Sequence, residues 1–232
     1  MAGNDYGDAS ITIREVDEAF RRNPSLFFGV GRDDPKAATA VLRGVLGHGL
    51  HPATAVAPTH TPQVDARVRG DLTFDVTDDQ SDAVDERGAL HLGFYGALLG
   101  PNRWAAAAAA ALSTRTEVEV WRDGRGFRQV LAGLRPTGEP EPFDPPPGTG
   151  TRMAFDLDRD HFAVGITTEL GSLDLHGPDC RPDPAALGLV VLRDLRRDRD
   201  HDPDSDHDTG SDQDPDSGQE PDSHRCREHR FR

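Results

Sequence analysis

Four groupings in the chain carry side chains that hold metals or move protons. His48 and His51 lie three residues apart, with His60 further on. On a helix that spacing puts both imidazoles on one face, but no carboxylate or cysteine supports them as a zinc site would require. Asp202, Asp204 and Asp206 alternate like the first ligands of a calcium loop. The turn-glycine position is His207, however, and the twelfth position is Gln213 where a bidentate Glu is needed. His224, Cys226 and His229 are good transition-metal ligands set among Asp, Ser, Pro and Gly, with no fold to pre-organise them. Asp71 and Asp75 read as turn and strand-edge charge, not as an acid–base couple. None of the four supports a catalytic or metal assignment.

The elements that must position any site alternate between helical and extended. Ile13 to Asn23 reads as a short helix stopped at Asn23-Pro24. Lys36 to Leu50 carries Ala40, Val41, Leu42, Val45 and Leu46 at helical spacing, behind an Asp34-Pro35 start signal. Leu72 to Val76 alternates apolar and polar, as a half-buried strand does. Trp104 to Leu112 holds seven consecutive alanines, the best helix former. Thr116 to Trp121 and Gly126 to Ala132 flank Asp123-Gly124, which predicts a hairpin. Glu139 to Gly150 is a proline-rich loop, and Arg152 to Leu157 and Leu187 to Leu192 read as strands. Helices combined with hairpin-linked strands predict an α+β sandwich, a sheet covered on one face by helices.

Length and composition set the outer limits. The 232 residues fit one or two domains at about 150 residues each. A 35% hydrophobic content with 24 glycines supports one real core. No apolar run approaches the roughly 18–20 residues of a membrane span, and the acidic opening MAGNDYGDASITIREVDEAF lacks a secretory pattern. Cys180 and Cys226 are too few and too far apart for a disulfide framework. A soluble cytoplasmic protein is expected. The net charge of −15 weighs against autonomous DNA binding, because phosphate affinity comes from clustered Lys and Arg. His201 to Arg232 holds eight Asp and two Glu against four Arg, a balance of −6. Almost no large apolar side chain interrupts it, so it reads as disordered. The predicted organisation is a flexible N-terminus over 1–10, one domain over 11–196 and an acidic disordered tail over 197–232.

Several stretches, in order and at near-matching gaps, resemble one known family. Glu18-Ala-Phe-Arg-Arg-Asn-Pro24-Ser-Leu-Phe-Phe-Gly29 resembles the opening motif of the ATPase domain of DNA gyrase B and its type II topoisomerase relatives. Ala111 to Val120, followed by Arg122-Asp-Gly and Phe127-Arg-Gln129, is similar to the hairpin after that family's ATP lid. Thr149-Gly-Thr151, with Phe155 and Asp158 through Phe162, is similar to the next strand and its exit, and Gly188 to Asp194 to the closing strand. The resemblance implies the Bergerat-type fold of the GHKL ATPases: a two-layer sandwich of a mixed sheet covered on one face by helices. It also implies ATP or ADP as ligand. In that family a helix presents a Glu that activates water and an Asn that holds magnesium, an Asp receives adenine, and a glycine-rich lid wraps the phosphates.

Carried onto this chain, that pattern is stripped. The place of the catalytic Glu falls on Gly44 and that of the magnesium-binding Asn on His48. Imidazole suits magnesium poorly, since the ion prefers hard oxygen donors. The adenine-contacting Asp is matched by Asp78, but the glycines after it are Gln80 and Asp82. The lid reads Gly100-Pro101-Asn102-Arg103-Trp104-Ala105. Gly100 alone survives, and Pro101 removes a donor N–H. Thr151 matches the threonine that supports adenine. Lys36 stands too early to replace the lysine that a following domain supplies in gyrase-type enzymes. The implied nucleotide-binding set is therefore Asp78, Thr151 and Gly100, with no catalytic residue and no metal ligand. The expectation is a pseudo-ATPase or adenine-nucleotide sensor that acts through protein partners, as a monomer or weak homodimer. Two alternatives stand beside it. One is an active ATP-hydrolysing component of a topoisomerase, with Glu15 or Glu18 as base; the other is a structural interaction module without a ligand.

Overall fold

The computed structural model of the chain describes residues 15–49, 63–81, 90–100, 103–171, 173, 189–196 and 227–231. Helix α1 (Val16–Arg22) carries Asp17 and Glu18 in its first turn and Arg21 and Arg22 in its last, which complements the helix dipole. Pro24 cannot continue it and instead opens α2 (Pro24–Phe28), which Gly29 ends in the left-handed region at φ 72°. Helix α3 (Ala37–Gly49) buries Ala38, Val41, Leu42, Val45 and Leu46, an unbroken stripe at three- and four-residue spacing. Helix α4 (Trp104–Ala111) buries all seven of its alanines. Side chains this small let its backbone lie close to the sheet, and the other three helices pack against it. Arg21 donates from Nε to the Ala111 carbonyl at 2.7 Å, satisfying one of the acceptors left at the end of α4.

The strands are β1 (Gln63–Gly70), β2 (Thr73–Asp78), β3 (Ser113–Arg122), β4 (Arg125–Ala132), β5 (Arg135–Pro136), β6 (Glu141–Phe143), β7 (Gly150–Leu157), β8 (Leu189–Asp194) and β9 (Arg227–Phe231). They form one mixed sheet in the order β5-β4-β3-β7-β2-β1-β8-β9, with β6 also paired to β4. Strands β1 and β8 run parallel, and the other described pairs are antiparallel. At the β3–β4 turn, Asp123 and Gly124 take φ of 52° and 73°, as the two central residues of a type I′ hairpin must.

Alternation along the strands separates two faces. Val64, Val76, Val118, Met153, Phe155 and Leu192 are buried in one core with the helices. The opposite face carries cross-strand charge: Arg152 lies within 3.4 Å of Glu117 and 3.0 Å of Glu119, and Arg69 pairs with Asp75. The molecule is a two-layer α+β sandwich, as the sequence predicts.

Four details differ from the sequence expectation, the first being that Glu141–Phe143, inside the stretch expected as a loop, forms β6 against β4. Strand β1 is not among the expected elements, although Val64, Ala66 and Val68 alternate through it and are buried. Asp75 is not at a strand edge; it sits mid-sheet, 1% exposed, beneath Arg69 and Arg152. The sequence predicts disorder throughout 197–232, yet Arg227–Phe231 forms β9 on the open edge of β8. Backbone pairing and the Arg193–Glu228 ion pair at 3.1 Å order a segment whose composition alone would not. The segment 1–10, His51, His60, Asp82, Cys180, Asp202 to Asp206, His224 and Cys226 lie outside the described residues. Among the described residues, no helix is long and apolar enough to cross a membrane.

Candidate functional site: a closed polar cage

Sheet register sets Asp78 and Thr151 opposite each other on β2 and β7. Both are in phase with the core positions Val76 and Met153, so they face the helix layer. Two glycines allow the close approach around them. A Cβ on Gly49, at the end of α3, would stand 3.0 Å from Val64, and one on Gly150 would stand 2.3 Å from the Trp121 ring.

Arg103 fills the space that these residues frame. Its side chain is 2% exposed and that of Asp78 is 0% exposed. Nη1 donates to Asp78 Oδ2 at 2.7 Å and Nη2 to Oδ1 at 2.9 Å. This is the parallel, two-pronged geometry in which a guanidinium meets a carboxylate best. Nη2 also lies 3.1 Å from Thr151 Oγ1 and 3.3 Å from the Gln80 carbonyl. The surrounding bonds hold these acceptors in place. The Thr151 hydroxyl donates to the Gln80 carbonyl at 2.7 Å, and the Gln80 N–H donates to Asp78 Oδ1 at 3.0 Å. Gln80 Nε2 donates to the Gly49 carbonyl at 3.1 Å, which ties the cage to the end of α3. A charge this deeply buried is tolerable only when paired and hydrogen-bonded, and this one is both.

The structure therefore brings Asp78 and Thr151 together. Gly100 reaches the same place indirectly: it is buried, and its carbonyl accepts the Arg103 N–H at 3.0 Å. Gln80 and Arg103 are the members that sequence reasoning counts only as lost glycines. A signal for Arg103 does exist. No acidic residue lies within four positions of it on either side, so its counter-charge has to come from another element.

The positions implied for catalysis do not converge here. A Cβ on Gly44 would stand 2.9 Å from the Phe28 ring, so this face of α3 is occupied by an aromatic. The His48 ring packs 5.0 Å from that of Trp104. Glu15 pairs with Arg135 and Glu18 with Arg22, both on the outer surface around α1. Among the described residues, no three of His, Cys, Asp and Glu gather closely enough to hold a metal ion. A cleft of about 580 Å³ runs along α3 past Phe28, Lys36, Arg43 and Leu170. Another, of about 280 Å³, opens beside Asp79, Trp121, Pro146 and Thr149. Asp78 also lines this second cleft, but its side chain is 0% exposed.

Fold and site together define a two-layer α+β sandwich with a buried polar cage occupied by the chain's own arginine. The sequence matches no protein-family model and no curated protein.

Proposed function

We propose that this chain is a degenerate gyrase B-type ATPase-like domain that neither hydrolyses ATP nor holds adenine, and that it serves as a scaffold for protein partners. The Asp78–Arg103 pair carries this reading: the carboxylate that would receive adenine is sealed and spends both oxygens on an internal guanidinium. Gly44 and His48, at the positions of the base and the metal ligand, add no hydrolytic chemistry. The net charge of −15 favours proteins over nucleic acid as partners.

Thermal unfolding of the full chain in millimolar ATP, ADP or adenosine, with and without magnesium, tests the proposal. The expected midpoint is the same in all of them. A bound nucleotide at 100-fold its Kd would add about 2.7 kcal/mol, a rise of roughly 2–4 °C per kcal/mol in a chain of this size. Such a rise, or magnesium-dependent phosphate release, overturns the reading.

A further inference from the structure

The cage has a polarity that selects its ligand. Thr151 has one hydroxyl proton, and it is given to the Gln80 carbonyl at 2.7 Å. Toward Arg103 the same oxygen therefore presents a lone pair, at 3.1 Å. The Gln80 side-chain amide is turned away to the Gly49 carbonyl, and the Gln80 backbone N–H is spent on Asp78 Oδ1. Among the described residues, the atoms that face Arg103 are Asp78 Oδ1 and Oδ2, Thr151 Oγ1 and the Gln80 carbonyl: four acceptors and a full negative charge.

A nucleobase fits such a surface badly. The pairing edge of adenine sets an acceptor ring nitrogen beside its amine, and while the Gln80 carbonyl holds the Thr151 proton that nitrogen would meet an oxygen lone pair with no proton between them. A buried acceptor left unmatched is strongly unfavourable. A guanidinium is planar, positive and carries only donors. Its Nη1 and Nη2 reach all four acceptors, with a proton of Nη2 shared between two of them.

We propose that Asp78, Thr151 and the Gln80 carbonyl form a guanidinium receptor with Arg103 as its resident ligand, so that the site, when Arg103 vacates it, accepts guanidinium and amidinium compounds and not nucleobases. This rests on the reading that the pocket no longer holds adenine nucleotide. The fork of Arg103 enters from the residue before α4, and its removal leaves a planar, anionic vacancy among β2, β7 and the end of α3.

The test is chemical rescue of the full-length Arg103→Ala variant. Its unfolding midpoint is expected to fall below that of the wild-type chain. Millimolar methylguanidinium should raise it again by several degrees and saturably, with ionic strength held constant by sodium chloride, and should leave the wild type unmoved. Adding Asp78→Asn should abolish the rise. A rise that sodium chloride or neutral methylurea reproduces overturns the proposal, as does one that adenosine matches, and so does no rise at all. If Arg103→Ala cannot be isolated folded, its refolding yield from urea becomes the readout. A higher yield with methylguanidinium than with sodium chloride supports the receptor, and equal yields overturn it. The two proposals fail separately. A wild-type chain stabilised by ATP overturns the sealed pocket, whereas a wild type indifferent to ATP and a variant indifferent to methylguanidinium overturn the receptor alone.

Discussion

On the helix-facing side of the sheet, the Asp78 carboxylate meets the Arg103 guanidinium and both are sealed from water. On the opposite side, Asp65, Glu117, Glu119 and Glu228 meet Arg115, Arg152, Arg193 and Arg230 in an open grid that runs across the strands. The chemical partners are the same and the energetics are not. Apart from Asp75, which lies 1% exposed beneath Arg69 and Arg152, the charges of this face keep part of their hydration, and water and salt screen the attraction. Inside, the low dielectric strengthens the pair but penalises either partner left alone. Thus the grid keeps a broad sheet face hydrated and resistant to edge and face association, whereas the buried pair determines which residues the core will accept.

Breaking the buried pair should give the largest effect. Asp78→Ala leaves the Arg103 guanidinium buried without its carboxylate, and the expected loss of stability is about 3–5 kcal/mol in urea denaturation. The double change Asp78→Leu with Arg103→Met removes both charges at similar volume and should recover most of that loss, since apolar replacements of a whole buried pair are often neutral or better. If the double variant is as unstable as the single one, the cage contributes through shape and not through charge.

On the open face, Glu119→Ala removes one of the acidic partners of Arg152, whose side chain is 30% exposed. The expected cost is about 0.2–1 kcal/mol. Added salt should shrink that difference while leaving the Asp78→Ala difference nearly unchanged. Equal salt sensitivity of the two variants would erase the contrast between the faces.

How far these faces are legible in sequence follows from the range of the forces involved. The hairpin at Asp123-Gly124 and the alanine helix are local, set by left-handed turn residues and by helix propensity, and both stand where the sequence predicts. Strand β1 alternates as well, but its inward positions are only Val64, Ala66 and Val68 between charged neighbours, a weak local signal. Strand β9 has hardly any apolar content and depends on the edge that β8 offers. Asp78 and Thr151 draw notice in sequence because each falls in a stretch that resembles a motif of the gyrase B-type ATPases. Arg103 is not, because a missing glycine shows in sequence and the destination of a long side chain does not. That destination depends on the register of β2 against β7, which no local pattern encodes.

The smallest expected effect lies in the acid response of the open grid. A hydrogen bond from Arg115, with help from the charges of Arg115 and Arg152, holds the Glu117 carboxyl below the ordinary glutamate range against a partial burial that would raise it. A carboxyl with a depressed folded pKa binds its proton more readily in the unfolded chain. Its contribution is therefore present in full above the unfolded value, near 4.3, and is lost as pH falls through the lower folded value. Glu117→Gln cannot take part in this titration. Comparing unfolding free energies from neutrality down past that window, the wild-type and Glu117→Gln curves should be offset at neutral pH and converge on acidification. A constant offset would mean that Arg115 and Arg152 support Glu117 by packing their stems around it, and the grid would then differ from the buried pair in exposure but not in kind.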